Sequence, residues 1–468
     1  MVPYFPRKVA ERAIVIYLIS LAIVSAVFFR YIMLWWYIVL GITWVVAFFT
    51  LTEKWSREWR TLSEKNYLRN MFQAAVIIRL TWVIISYFVY KAWTGIPFEY
   101  GALDSVGYHE EAMWFAGSDW ATIWDAYFGS GFHGFADVGY PFYLGIIYRI
   151  FGPVIIIPRI IKVFISAYTC VLLYRVTSRI IGEDMGRLAG IICVLIPNLV
   201  IYCGYHLKET EMVFLEVLFL ERADHLLRTS KMTFWDVLLP SLLALTMFFF
   251  RTVLGASAAF ALATGVLLSN YPSMKRGLRR ASLVGWGILC VAVVGGGALM
   301  TEIESYWEDR GDNVANQRLQ QTARGNQWAQ YATGTVMAPM IFVLPFSTMV
   351  NVDEQYAQQT KHSGNYVRNF MGFFALLAVY EAIRRKKWKE MALPLAFVAS
   401  YLGVVSVSGF SNSERFLLPG MPLLILLWTY GIATLRRQTF KYFVPWTYIV
   451  ILMEIAWAYF KLGSRGLF

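Results

Sequence analysis

Cysteine is scarce, with four among 468 residues, and charged side chains make up only 15% of the chain. Cys170, Cys193, Cys203 and Cys290 all lie in or beside apolar stretches. There they read as small core residues and carry no information on redox compartment. Low-complexity tracts, internal repeats and a sizeable soluble domain are missing as well. A soluble domain of this length would not reach 58% hydrophobic residues or a mean hydropathy of +0.51. The class is therefore an all-α polytopic membrane protein. The apolar runs are continuous rather than alternating, which excludes a β-barrel. The net charge of +12 does not call for a nucleic-acid partner. Lys and Arg fall in short clusters between apolar runs, where the positive-inside rule puts cytoplasmic loops. No cleavable signal is evident, and the first apolar run is followed directly by a second, which suits a retained anchor.

One stretch lacks cations altogether. Residues 92–148 contain no Lys or Arg, yet they carry Glu99, Asp104, Glu110, Glu111, Asp119, Asp125 and Asp137, threaded with Trp, Tyr, Phe and Gly. A long loop rich in acids and aromatics, in a chain otherwise built for hydrocarbon, is where chemistry is expected. We take it as a candidate active-site loop carrying short amphipathic helices.

The order of basic clusters gives the expected topology. MVPYFPRKVAER should be cytoplasmic, and Ala13–Phe29 and Ile32–Leu51 form the first two spans. Lys54, Arg57, Arg60, Lys65 and Arg69 mark a cytoplasmic loop, and Met71–Trp93 then crosses outward, so the acidic loop is external. The chain re-enters after Tyr140-Pro141 and crosses inward by about Tyr174. Further basic clusters run Arg175–Arg187, Arg222–Lys231, Lys275–Arg280, Arg384–Lys389 and Arg436–Lys441. Between them CGYHLKET, the region of Arg251, the loop 301–334 and GFSNSERF fall outside. The result is about thirteen spans with the N-terminus inside. Thr335–Val350 is apolar but short, and counting it would throw Arg384–Lys389 outside, so it reads as re-entrant or interfacial. The C-terminal KLGSRGLF comes out external despite Lys461 and Arg465. Three regions follow. They are an N-terminal hairpin and basic loop (1–70), a core with external loops 94–140 and 301–366 (71–436), and a C-terminal helix (437–468).

Several residues could carry chemistry. Asp104 opens DSVGYHEEA, and with a helix starting at Ser105, Tyr108 and either Glu111 or Ala112 share one face. Asp104 could merely cap that helix. Capping does not explain why so many further acids crowd a loop without counter-charges, because like-charged carboxylates disfavour one another's ionised forms. Glu110 and Glu111 could equally form a solvated helix face. His109 sits among these acids, so Asp104, His109 and a Glu offer ligands for a divalent cation, although no cofactor is required. Asp137 is a second acid just before the chain returns to the membrane, while Tyr140 and Pro141 suit an interfacial anchor and turn. Lys208 in HLKET, Arg251 in FFFRTVLG and Arg415 in SERFLLPGMP each sit at the outer mouth of a span. A cation at a helix centre costs about 2.5–3.5 kcal/mol on insertion scales, and less where it can snorkel. Snorkelling, or pairing with Glu209 or Glu414, would explain any one of them. Three near an acidic loop suggest a bound anion, for which the planar fork of Arg is suited. Arg79, Arg159 and Lys162 lie deeper and could serve helix pairing or lipid headgroups.

Taken in order, a span containing Arg79, then D-S-x-x-Y-x-x-x-A (Asp104, Ser105, Tyr108, Ala112), DVGYPFYLGIIYRIFG, IPNLVIYCGYHLKE and ERFLLPGMPLLILL resemble the membrane-embedded GT-C glycosyltransferases. The likeness is to the protein-mannosyltransferase and aminoarabinose-transferase type and covers roughly Met71 to Arg436. It implies a GT-C-like fold, a polyprenyl-phosphate sugar as donor, and Asp104 as catalytic base, with Glu111 and Asp137 as further acids. Lys208, Arg251 and Arg415 would be candidates for the lipid phosphate. Tyr108, His109, Glu110, Tyr140, His206, Glu209 and Glu414 would be the substrate-contacting candidates. The hairpin before Met71 departs from the family layout.

By this reading a sugar passes from lipid phosphate to a glycan, lipid or protein acceptor on the external face of a bacterial inner membrane. The transition state is oxocarbenium-like, and a single displacement inverts the anomeric carbon. A flippase for a lipid-linked saccharide, or a polysaccharide polymerase or ligase, would also need external cations. A flippase is expected to carry polar residues through mid-span and an inverted repeat, whereas the charges here cluster at one side and no repeat is seen.

Overall fold

The structure, a computed structural model, describes residues 4–128, 138–229, 231, 233–268, 340–352, 356–407, 413–463 and 465–467. Asp137, Cys290, the basic cluster Lys275–Arg280 and the loop 301–334 lie outside these residues. Among those described there is no strand. The chain is a succession of α-helices, and it is an all-α membrane protein. Seven helices are long and apolar enough to cross a bilayer, or eight if one bent pair is a single span.

The N-terminal hairpin is α1 (Arg7–Val27) and α2 (Trp35–Glu58), close to the two spans expected. Next comes α3 (Glu64–Thr94), whose start is fixed by the Ser63 hydroxyl accepting from the Asn66 N–H at 3.4 Å. It stops at Gly95, whose φ of 80° ends the helix in the left-handed region. The cation-free loop folds into α4 (Leu103–Gly117) and α5 (Trp120–Phe128), followed by α6 (Gly139–Phe151) packed along α4. Then follow α7 (Ile156–Ile180), α8 (Glu183–Leu195), α9 (Pro197–Ile201), α10 (Glu209–Arg228), α11 (Phe234–Phe250) and α12 (Thr252–Leu268). The C-terminal part holds α13 (Tyr356–Arg384), α14 (Ala392–Val407), the four-residue α15 (Glu414–Leu417), α16 (Met421–Thr434) and α17 (Arg437–Gly463).

The centre of the bundle is α16, packed on α13 and α8. In the stretch Glu414–Thr434 the most apolar window is 94% buried, against 22% for α3, so α16 faces protein and α3 mostly faces lipid. At the α13–α16 crossing a Cβ on Gly431 would collide with the Phe374 carbonyl, so the closest approach there needs glycine. The hairpin is clasped from both ends of the chain, α1 against α17 and α2 against α13 and α8. Tyr17 hydrogen-bonds His362 at 2.8 Å, and the Tyr366 hydroxyl donates to the Ala13 carbonyl at 2.6 Å. The described part of the short apolar stretch, 340–352, is not a helix. It runs buried from a turn into an extended segment bridged to Ile32 through Val350.

The one sharp break in a span has a local cause. Between Glu183–Leu195 and Pro197–Gly204 the axis bends by 52°. Pro197 has no N–H to give the Cys193 carbonyl, four residues back. Arg79, buried on α3, supplies the missing donors. It donates to the Cys193 carbonyl at 2.9 Å, the Val194 carbonyl at 3.1 Å and the Ser166 hydroxyl at 2.7 Å. Of the two uses open to Arg79, helix pairing is the one realised. An Arg79→Met variant should lose about 1–3 kcal/mol for each carbonyl left unpaired, read as a lower unfolding midpoint in detergent. An unchanged midpoint would show that other contacts hold the break.

Candidate active site

The first turn of α4 meets α10, the α11–α12 junction and α15 in a single cluster of charges. Asp104 is the second residue of α4, and no side chain caps that helix, so Asp104 is available for tertiary contact. Its carboxylate accepts from Arg415 Nη1 on α15, and its side chain is 59% exposed at the rim. Below the rim Arg415 Nε donates to Glu209 Oε1, and Arg415 Nη2 reaches the Tyr108 hydroxyl at 3.3 Å. Tyr108 lies one helical turn beyond Asp104, which is why both address the same guanidinium.

Arg251 approaches Glu209 from the other side, with Nη2 at 3.4 Å from the same Oε1. Its Nη1 donates to the Tyr401 hydroxyl of α14 at 3.3 Å, and its guanidinium lies 4.4 Å from the Phe416 ring centroid. One buried carboxylate is thus shared by two arginines, while Glu209 Oε2 accepts no hydrogen bond. Lys208 donates to the Phe250 carbonyl at 2.7 Å, a group left without a helical donor at the end of α11. Its Nζ is 6.0 Å from the Tyr108 ring centroid. Burial first, and Arg251 second, hold the Lys208 ammonium well below its ordinary value. Burial pushes the Tyr108 phenol up to about 12, so it stays a neutral hydroxyl. Lys208, Arg251 and Arg415 stand against Asp104 and Glu209. Such a site favours an incoming anion, which would also draw a proton onto Lys208.

The remaining sequence candidates divide into two groups. Tyr140 and His206 lie just inside the cluster. The Tyr140 ring is 5.1 Å from Tyr108 and 6.2 Å from His206. His109 does not join Asp104. Its Nδ1 is 2.7 Å from the Tyr148 hydroxyl, which is also 3.2 Å from His206 Nε2. Burial lowers the affinity of both imidazoles for a proton, that of His206 strongly and with help from Lys162 and Arg159. Both are neutral at physiological pH.

The other group lies away from the cluster. Glu110 and Glu111 are on the exposed side of α4, the solvated-face reading of that pair. Glu111 accepts from the Tyr127 hydroxyl at 2.9 Å. The face shared with Tyr108 continues through buried Ala112 instead. Glu414, next to Arg415 in sequence, turns the opposite way and is held by Asn198 and by Lys361 at 3.4 Å. The divalent-cation set expected of Asp104, His109 and a Glu does not assemble. Among the described residues no group of three His, Cys, Asp or Glu could hold a metal ion. The physical reason is that Arg415 occupies Asp104 while Tyr148 turns His109 inward. Asp137 lies outside the described residues.

Tyr401, Phe416 and Tyr148 were not singled out in the sequence. A lone tyrosine in an apolar helix looks the same whether it anchors an interface or orients an arginine. Their signal exists only in three dimensions.

Fold and site together define an all-α integral membrane protein that gathers basic and acidic side chains from distant helix ends into one pocket. No family model matches the sequence, and no curated protein matches it.

Proposed function

We propose that this chain is a glycosyltransferase that moves a sugar from a polyprenyl-phosphate donor to an acceptor at the external face of a bacterial inner membrane. One juxtaposition carries the reading. A carboxylate from the first long loop, Asp104, meets Arg415 from 311 residues later, beside Arg251 and Lys208. The resemblance to the GT-C enzymes anticipates that combination, an exposed base over a cationic floor, and with it about thirteen spans and a cytoplasmic N-terminus.

The chemistry follows from the charges. Asp104 takes the proton of the acceptor hydroxyl as that oxygen bonds to the anomeric carbon, and the carbon–oxygen bond to phosphate breaks. The departing phosphate gains a negative charge, which preorganised Arg251, Arg415 and Lys208 stabilise better than mobile water. The 3.3 Å contact from Arg415 to Tyr108 is longer than its carboxylate bonds and is the first to give way to a phosphate oxygen. With no second carboxylate at the sugar carbon, a single displacement inverts it. No metal is needed for these steps.

Purified full-length protein incubated with a polyprenyl-phosphate sugar and extracted membrane glycans and lipids should release free polyprenyl phosphate. Movement of the intact lipid-linked sugar across a vesicle bilayer without release would sink the enzyme reading in favour of a flippase. Release coupled to growth of a long glycan would make the protein a polymerase.

A further inference from the structure

Below Tyr108 and Tyr140 the chain builds a second polar chamber that the charge cluster does not use. Its walls are aromatic, with the Phe98 ring 5.5 Å from His109 and 5.7 Å from His206, and Tyr148 stacked on His206 at 6.3 Å. Its polar atoms are incompletely partnered. Arg159, fully buried at the start of α7, gives one N–H to the Pro97 carbonyl at 2.6 Å, but Nε and Nη1 have no hydrogen-bond partner. The Glu99 carboxylate accepts from Ser105 at 2.5 Å through Oε1, leaving Oε2 unpartnered. His206, also fully buried, uses Nε2 toward Tyr148 and leaves Nδ1 without a partner. Buried donors and acceptors in this state are costly and are normally satisfied. Here they converge around one aromatic enclosure.

We infer that this chamber, walled by Phe98 and Tyr148 and edged by Glu99, Arg159 and His206, holds the sugar ring of the donor, and that the sugar is neutral. The inference rests on the glycosyltransferase reading and extends it to the class of sugar. Unpaired donors on Arg159 and an unpaired acceptor on Glu99 suit hydroxyls, which both donate and accept. Aromatic walls suit the apolar face of a pyranose or furanose. The charges on Glu99 and Arg159 offset one another, and both imidazoles are neutral. An amino or carboxylate group on the sugar would disturb that balance, so the chamber selects against charged sugars. His206 stands two residues before Lys208, and Tyr140 joins the two regions, 6.2 Å from His206 and 5.1 Å from Tyr108. A phosphate in the charge cluster would place its sugar toward this chamber. Phe98 and Glu99 ride on a short segment between Gly95 and Gly101, at φ 80° and 68°. Glycine tolerates those angles without strain, and the segment is where a headgroup would enter.

The test measures the affinity of full-length protein in nanodiscs for four lipids that share one polyprenol. They are its methyl phosphate diester, its glucosyl and mannosyl phosphates, and a 4-aminopentosyl phosphate. The methyl ester matches the charge of the glycosyl lipids and lacks only the sugar. At least one neutral glycosyl lipid should bind about tenfold or more tighter than the methyl ester, a gap of about 1.4 kcal/mol. The amino sugar should gain less. Glu99→Gln and His206→Phe should shrink the gap severalfold while methyl-ester affinity stays as in wild type. If either variant fails to fold, the wild-type gap alone decides. Equal affinity for all four lipids overturns the chamber while leaving the phosphate site standing, as does a preference for the amino sugar. Failure to bind any of them overturns both readings.

Discussion

Asp104→Asn should lower sugar transfer by about 10²–10⁴-fold, the usual contribution of a positioned general base. Asparagine keeps the shape of the side chain and can still accept from Arg415, but it cannot take up the acceptor's proton. The residue sits at the rim with 59% of its side chain exposed. Exposed ion pairs add little to stability, so the unfolding midpoint and the affinity for donor lipid should stay near wild type. That separation makes the experiment decisive. A variant that still turns over would reduce Asp104 to a clip that orients Arg415.

Glu209→Ala should be the most destabilising change in the cluster, costing about 3–5 kcal/mol, the range for removing one member of a buried ion pair. Its carboxylate is the shared partner of Arg415 and Arg251, so without it two guanidiniums face each other with no buried counter-charge. A phosphate would then fill the vacated position. Added polyprenyl phosphate should therefore raise the midpoint of this variant further than that of wild type. If the midpoint barely moves on substitution, water already solvates the arginines, and Glu209 does not organise the pocket. If the substitution destabilises but the lipid gives no extra protection, the anion binds elsewhere.

Much of this arrangement was legible in the sequence because hydrocarbon leaves few choices. Continuous apolar runs bounded by cations gave the first three spans to within a few residues at most ends, and a cation-free loop pointed to Asp104. Lys208, Arg251 and Arg415 could be singled out because a cation beside an apolar run always needs a reason. Pairing was harder to foresee. Glu209 and Glu414 each adjoin a cation in sequence, yet Glu209 holds Arg415 while Glu414 turns to Asn198 and Lys361. Neighbours on a helix point in different directions, and only the packing of α10 against the elements around α15 decides which carboxylate serves which cation. His109 is a similar case. Its place among acids suggested a metal, but Tyr148, thirty-nine residues on, drew it into an aromatic enclosure. Arg79 was legible as buried and not as a helix cap, since that role depends on a proline in another span.

The distance along the chain between Asp104 and Arg415 bears on how the protein is made. Their contact joins positions 311 residues apart, so during synthesis the acidic loop is delivered long before its main counter-charge exists. Arg251 emerges first and can hold Glu209 in the interval, but Asp104 must wait in water or at the headgroup layer. A nascent chain halted before Glu414 would leave the ribosome with its pocket unlocked. Long-range closure of this kind is slow, and membrane proteases would have that whole interval in which to remove an unfinished copy.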